Sequence, residues 1–420
     1  MKIAILTLTE QRDKVVDDRI AKALTDLGHD VGVRNFVQAG MDAVVYEKPD
    51  AVVMPMVGSN HKLHFARQCS EWGITTIVRR GEAGAAREVL AGMDPERVKV
   101  IVGDFDYKPY VDLELTWGPE FSDILAERGK MPRSKIASCG PFTLDACFDH
   151  PRPDHVGKRR ILFATAWSGA DDVKEYTECG VPTSSPLQGQ MYRQHCEGRA
   201  AWIEAIKNLV ACKSHKYEFT LKVRPGESTA AYIRALPKSV KILPYDYPSS
   251  DAIAESDIVV HAGSTMAIES HLMGVPSINF HNCNPDPRLA NICPRAEDYG
   301  ELEELLGRTL YGQSNIDRDG FQWLKEHLYG EIDGRACERA AKAIHKALPK
   351  GKNRREPEIP DTWPKTVLFP SEKTSAEPHA GQYALKCFSC KHTFGINKDA
   401  EWCVCPFCGL IIRKIVCPKE

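Results

Sequence analysis

The chain has 420 residues, 43% of them hydrophobic, and a formal net charge of -2. That length fits two or three domains. The charge gives no global basic field to recruit nucleic acid or an anionic membrane, and no apolar run reaches the roughly 20 residues that span a bilayer.

The first residues, MKIAILTLTEQRD, meet Glu10 too early for a signal peptide and read as a first strand. Strands are expected over 3–8, 30–34, 51–56, 74–78 and 98–102, with helices over 16–27 and 61–72 between them. Short apolar runs alternating with helices predict a parallel sheet covered on both faces. Ligands of such sheets bind beyond the carboxyl ends of the strands. That rule selects the loops at 7–10, 58–61, 79–82 and 103–106. Glu82, in the turn RRGEAG, and His61 are the candidate bases there, since either side chain type can accept a proton from an attacking hydroxyl. The competing readings are a solvated loop carboxylate and a surface histidine. The stretch 149–158, DHPRPDHVGK, is polar with two prolines and reads as an interdomain linker.

A second sheet is expected from strands over 160–166, 219–223 and 240–243, with a Pro- and Ser-rich loop over 180–190 and an amphipathic helix over 199–210. The most informative stretch follows, SDIVVHAGSTMAIESHLMGVPSINFH. It reads as a strand over 257–260, a turn of small residues, a helix over 266–273 closed by Gly274, and a further strand over 275–280. Gly263, Ser264 and Thr265 make the turn, where unpaired N–H groups and the helix dipole attract an anion. Glu269 lies one helical turn after Thr265 and can face the same cleft. Arg224, at a strand end before Pro-Gly, adds a cation at that edge. A phosphorylated nucleoside suits this set, in the cleft between two sheets. The alternative is a plain helix cap with a surface arginine. Helices over 319–328 and 335–348 follow and can pack back across the first domain.

The order and content resemble GT-B glycosyltransferases, which have two Rossmann-like domains. The likeness is to bacterial surface-carbohydrate and capsule-polysaccharide transferases, including those that use CMP- or CDP-activated donors. It is carried by SDIVVHAGSTMAIESHLMGVPSINF, LKVRPG, ILPY, WGPEFSDIL and GEIDGRACERAAKAI, over about residues 1–348. The resemblance implies transfer of a sugar from a nucleotide-activated donor to a saccharide or other polar acceptor. It implies no obligatory catalytic metal, because helix N-termini and basic groups neutralise the leaving phosphate. It places Ser264 and Thr265 at the phosphate turn and Glu269 at the ribose- or sugar-binding position. Several relatives carry His-Pro where this chain has Arg224-Pro225. The other functions kept open are glycosylation of nucleic acid, sugar-nucleotide epimerisation and a non-catalytic nucleotide-binding scaffold.

Residues 349–380 are rich in Lys, Arg, Glu, Pro and Ser and read as a linker. The remainder carries Cys387, Cys390, Cys405 and Cys408 as two Cys-x-x-Cys pairs, a spacing that supplies four thiolates for a structural zinc ion, with iron the main rival. This segment resembles a zinc ribbon. So short a piece buries too little apolar surface to fold alone, and metal binding would supply the missing free energy. From 381 to 420 there are six Lys or Arg and three Asp or Glu. Four thiolates and one zinc ion reduce that excess to about +1. Docking onto a protein partner or the enzyme body therefore suits the ribbon better than gripping nucleic acid. The nine cysteines outside the tail are scattered singly, as reduced thiols are, which points to a cytoplasmic compartment. The expected organisation is α/β, with a Rossmann-like acceptor domain over 1–150, a Rossmann-like nucleotide-sugar domain over 151–348, a linker over 349–380 and a zinc ribbon over 381–420.

Overall fold

The computed structural model describes residues 1–8, 10–57, 60–81, 107–150, 157–167, 170, 186–224, 227, 229–244, 247–280, 292–312 and 318–348, with four short strands between 382 and 413. Glu82, the strand expected over 98–102 and the four cysteines expected to hold a metal lie outside these residues. The chain divides into two compact units: 1–141 with 336–420, and 142–335.

In the first unit, β1 (Lys2–Thr7), α1 (Glu10–Asp26), β2 (Asp30–Asn35), α2 (Phe36–Glu47), β3 (Ala51–Pro55), α3 (Asn60–Glu71), β4 (Thr75–Arg79), β5 (Leu113–Thr116), α4 (Pro119–Glu127) and β6 (Ile136–Ser138) follow one another. The strands form one parallel sheet in the order β2-β1-β3-β4-β5-β6. β3 and β4 are buried throughout, as strands covered on both faces must be. α1 buries Val16, Ile20 and Leu24 at helical spacing.

The second unit holds β7 (Arg159–Ala164), α5 (Pro186–Lys213), β8 (Tyr217–Lys222), α6 (Thr229–Ala235), β9 (Val240–Leu243), α7 (Ser249–Ala254), β10 (Ile258–His261), α8 (Met266–Leu272), β11 (Ser277–Phe280), β12 (Arg295–Ala296), α9 (Tyr299–Leu310) and α10 (Arg318–Leu324), which runs into a π-helical turn at Lys325–Tyr329. Its sheet is also parallel, in the order β12-β11-β10-β7-β8-β9. Counted from its own first strand, this is the doubly wound order 3-2-1-4-5-6. Alternate strand residues feed opposite faces. Ile161 and Phe163 pack with Trp202 of α5 and Phe280 of β11, while Leu162 and Ala164 pack with Ile253, Met266 and Val275. Two Rossmann-like domains of GT-B type therefore make up the body of the protein.

Two expectations need correction. The loop expected over 180–190 gives way to helix at Pro186, and α5 extends through the segment expected to begin at 199. Proline at the first helical position loses no bond, because that N–H has no partner in any helix. The two closing helices also part company. α10 belongs to the second unit, whereas α11 (Ala336–Ala347) belongs to the first. There α11 buries Ala336, Cys337, Ala340, Ala341 and Ile344, and Arg339 Nε donates to the Cys139 carbonyl at 2.6 Å.

In the tail, β13 (Gln382–Lys386) pairs antiparallel with β14 (Thr393–Asn397), and β15 (Trp402–Val404) with β16 (Ile411–Arg413). Among the described residues, no helix is long and apolar enough to cross a membrane.

Candidate functional site

In the second unit the chain builds β7, β8 and β9 to one side, then returns to build β10, β11 and β12 on the other. The strand order reverses between β7 and β10, and in sheets of this kind such a switch point is where a ligand-binding crevice forms. The turn after β10 lies there. Gly263 holds a φ of +72°, a left-handed conformation open to glycine at no steric cost. Gly274 does the same at φ +68° and closes α8, with Val275 N–H returning to the Ser270 carbonyl at 2.8 Å.

Two strand-end side chains hold this turn. Asn279, at the end of β11, accepts the Gly263 N–H on its Oδ1 at 3.1 Å. His261, at the end of β10, accepts the Ser264 N–H on Nδ1 at 3.2 Å, and its Nε2 lies 3.3 Å from Cys293 Sγ. Full burial pushes the His261 imidazole down to about 3, so the ring stays neutral and Nδ1 remains an acceptor. Burial likewise pushes the Cys293 thiol up to about 11, so this contact is no thiolate–imidazolium pair. Met266 N–H donates to Ser264 Oγ at 3.3 Å. Two of the three turn amides are thus already engaged. Among the described residues, nothing takes the N–H or the hydroxyl of exposed Thr265. Asn279 Nδ2 is also buried without a partner among them. Glu269 is half-buried on the same helix. Desolvation raises its pKa, partly offset by a hydrogen bond from Ser249 and the charge of Lys222.

On the other side of β7, the Arg224 N–H donates to Thr165 Oγ1 at 2.9 Å. The Thr165 hydroxyl in turn donates to Glu227 Oε2 at 2.6 Å. Trp167 N–H reaches the same oxygen at 3.2 Å, and the Tyr232 hydroxyl donates to the other carboxylate oxygen. Buried Glu227 therefore fixes the loops leaving both β7 and β8. The Arg224 side chain is exposed, with no partner among the described residues.

The first unit carries polar groups at the same edge of its sheet. Neighbouring strand residues point to opposite faces, and Arg79 and Arg80 separate accordingly. Arg79 Nε lies 2.9 Å from Asp17 Oδ1, as an ion pair rather than an aligned hydrogen bond, and Arg79 Nη2 lies 3.8 Å from Asp13. Thr7 Oγ1 donates to Asp17 Oδ2 at 2.9 Å. Burial outweighs Arg79 and pushes Asp17 up to about 6. Arg80 pairs with Glu114 and donates to the Tyr107 hydroxyl at 3.2 Å. His61 is the second residue of α3. Sequence reasoning missed both arginine clusters and the roles of His261, Asn279 and Glu227. The paired arginines at a strand end were the visible signal for the first two. A groove of about 590 Å³ between α5 and α9 begins at the opposite end of β8, beside Tyr217, and is bridged by Lys213 and Glu303 at 2.6 Å. It is separate from the strand-end site. No group of three or more metal-ligating side chains occurs among the described residues.

No protein-family model matches the chain. No curated protein matches it in sequence. Solved structures match in fold. The UDP-GlcNAc 2-epimerase of Methanocaldococcus jannaschii aligns with a TM-score of 0.53 at 13% identity, covering 82% of this chain and 100% of that one. The Neisseria meningitidis UDP-GlcNAc 2-epimerase, solved with UDP-GlcNAc, aligns at 0.52 and 13%, covering 82% and 100%. An epimerase structure of the same kind from Listeria monocytogenes aligns at 0.52 and 12%, covering 84% and 98%. The shared feature is the GT-B fold.

Proposed function

We propose that the protein is an enzyme acting on a nucleotide-activated sugar, bound at the switch point of the second unit, and that it transfers the sugar to a saccharide or other polar acceptor. The observation that carries this reading is the set of uncommitted donors flanking β7. Thr265 contributes its N–H and hydroxyl on one side, and Arg224 its guanidinium on the other. These groups suit the phosphate oxygens of a leaving nucleotide, where fixed donors stabilise developing charge. Gly263 and Ser264 shape the turn, and Glu269 is suited to accept hydrogen bonds from ribose or sugar hydroxyls. Charge neutralisation by these groups makes an obligatory catalytic metal unnecessary. The acceptor and the catalytic base belong to the first unit in this reading, with His61 and Glu82 the sequence candidates for the base.

Epimerisation is the second reading, favoured by structural neighbours that are UDP-GlcNAc 2-epimerases, one solved with UDP-GlcNAc and UDP. Thermal unfolding with UDP, CDP, CMP, GDP and their sugars tests the shared claim. A ligand at one hundred times its Kd adds about 2.7 kcal/mol of stability. No shift with any of them overturns it. Proton NMR of the bound sugar nucleotide then separates the two readings. A changed ring configuration without acceptor means epimerisation, and sugar release only with acceptor means transfer.

For the tail we propose a structural zinc ion held by Cys387, Cys390, Cys405 and Cys408. Each Cys-x-x-Cys pair falls within the six-residue connection of an antiparallel strand pair, over 387–392 and 405–410, which supports the fit. Zinc would cross-link the two hairpins, and a protein partner or the enzyme body is the expected docking surface. One zinc per chain by elemental analysis, lost in Cys387→Ser/Cys390→Ser, is the expected result. A metal-free chain with intact hairpins overturns the assignment.

A further inference from the structure

The α5 face over the end of β7 follows one helical stripe: His195, Gly198, Arg199 and Trp202. Trp202 lies in the core. Gly198 clears the space for Trp167, whose ring a Cβ at that position would meet at 2.1 Å. His195 and Arg199 occupy the end of the stripe nearer the crevice. The Trp167 indole and the His195 ring meet nearly at right angles, with centroids 5.8 Å apart at 85°. One His195 ring N–H donates to the Trp167 carbonyl, which fixes the imidazole. Arg199 Nη2 donates to the Ala170 carbonyl at 2.5 Å. His195 is half-buried and feels the positive charge of both Arg224 and Arg199. Among the described residues, Glu227 and Tyr232, from the segment after β8, are further ionisable groups at this end, and they bond each other, Thr165 and the Trp167 amide. The chain thus brings an imidazole to a point where cations crowd it, beside an uncommitted guanidinium at the mouth of the switch point.

We propose that Arg224 and His195 together grip a phosphate-type anion at the β7 side of this crevice, making His195 a ligand-contacting residue of the site. The proposal rests on reading the second unit as the nucleotide-binding half and extends it. The β10 turn and the end of β8 stand two strand spacings apart, about 10 Å. Thr265 and Arg224 therefore mark two anchor points for a ligand with more than one phosphate or a second acidic group. Without the anion, desolvation first and the two arginines next hold the His195 pKa below its usual value. A bound anion reverses the electrostatic part, and His195 takes up a proton from solvent as the ligand enters. Binding then strengthens as pH falls toward the ordinary histidine range.

The test is an NMR titration of the full chain labelled with ¹⁵N-histidine, using inorganic pyrophosphate as probe. The His195 resonance is identified by its loss in His195→Gln. Pyrophosphate is expected to move the His195 titration upward. Arg224→Met should raise it in the free chain, abolish the pyrophosphate response and weaken pyrophosphate binding about 10- to 100-fold. Arg224→Lys, which keeps the charge but loses the fork, should recover part of that loss. A His195 titration indifferent to pyrophosphate, or a response that survives Arg224→Met, overturns the proposal. If a nucleotide still stabilises that chain, the sugar-nucleotide reading stands alone. If His195 responds as expected while no nucleotide or sugar nucleotide binds, the anion grip stands and the wider reading falls.

Discussion

Replacing Gly198 with Ala separates local helix chemistry from tertiary packing. In an exposed helix interior, Gly to Ala gains about 1 kcal/mol, because Ala loses less conformational freedom on folding. Gly198 lies within α5, so helix propensity alone predicts a more stable protein. The structure reverses the sign. A Cβ there would sit 2.1, 2.3 and 2.8 Å from three atoms of the Trp167 ring, where ordinary carbon contacts are about 3.5–4.0 Å. Trp167 is 2% exposed, and its backbone amide is bonded to Glu227, so the residue has no easy retreat. Overpacking of this kind costs about 1–3 kcal/mol, and this clash belongs at the upper end. The expected net loss is about 1–2 kcal/mol, or about 2–8 °C in Tm for a unit of this size. Near-UV circular dichroism should change as well, since Trp167 and Trp202 lie 6.1 Å apart. Gly307, inside α9, is the matched control. A Cβ there meets nothing within 4 Å, so Gly307→Ala should raise Tm by about 1–4 °C. Equal stabilisation by both substitutions, with the near-UV spectrum unchanged, would refute the packing argument.

Arg79→Met leaves buried Asp17 without the cation paired with it and should cost about 3–5 kcal/mol. Asp17 is an acid whose folded value, about 6, lies above its unfolded one, so its cost to folding is present at high pH and fades on acidification. The Arg79→Met penalty should therefore be larger at pH 8 than at pH 5 in urea unfolding, and an equal penalty would contradict this account. His261 acts in the opposite sense. Its folded value near 3 means stability is lost as pH falls from about 6.5 toward 3, by up to about 1.4 kcal/mol per unit. His261→Gln should flatten the acid-unfolding profile followed by tryptophan fluorescence, and a profile as steep as before would exclude His261 as the source. Asn279→Leu strands the Gly263 N–H, at a cost of about 1–3 kcal/mol, and should weaken nucleotide binding through the loosened turn. Unfolding and ligand titrations that match the parent chain would remove Asn279 from the site.

Much of the frame was legible because periodicity and turn chemistry are local. β9 fell on the expected residues 240–243, and α8 ended at Gly274, where only a left-handed residue closes the helix well. The N-terminal half of α5 was not legible. Its sequence PLQGQMYRQHCEGR is polar and carries two glycines, so the part up to 190 reads as a loop and 191–198 carries no helix signal until Trp167 is seen to need the space above Gly198. The same limit governs the site. A run of small residues locates an anion-binding turn, but its free amides depend on residues far along the chain. His261 is three positions from Ser264, whereas Asn279 is sixteen from Gly263 and reaches it only because β10 and β11 are paired. Once those two acceptors are engaged, Thr265 keeps the uncommitted donors of the turn, which are neutral, and in the proposed site a phosphate held there would need a cation for its charge. Arg224 can provide it from across β7 because Glu227 ties Thr165 and Trp167 down and Thr165 fixes the Arg224 backbone. In the proposed site, buried carboxylate, carboxamide and imidazole groups would thus set which backbone and side-chain donors remain for a ligand.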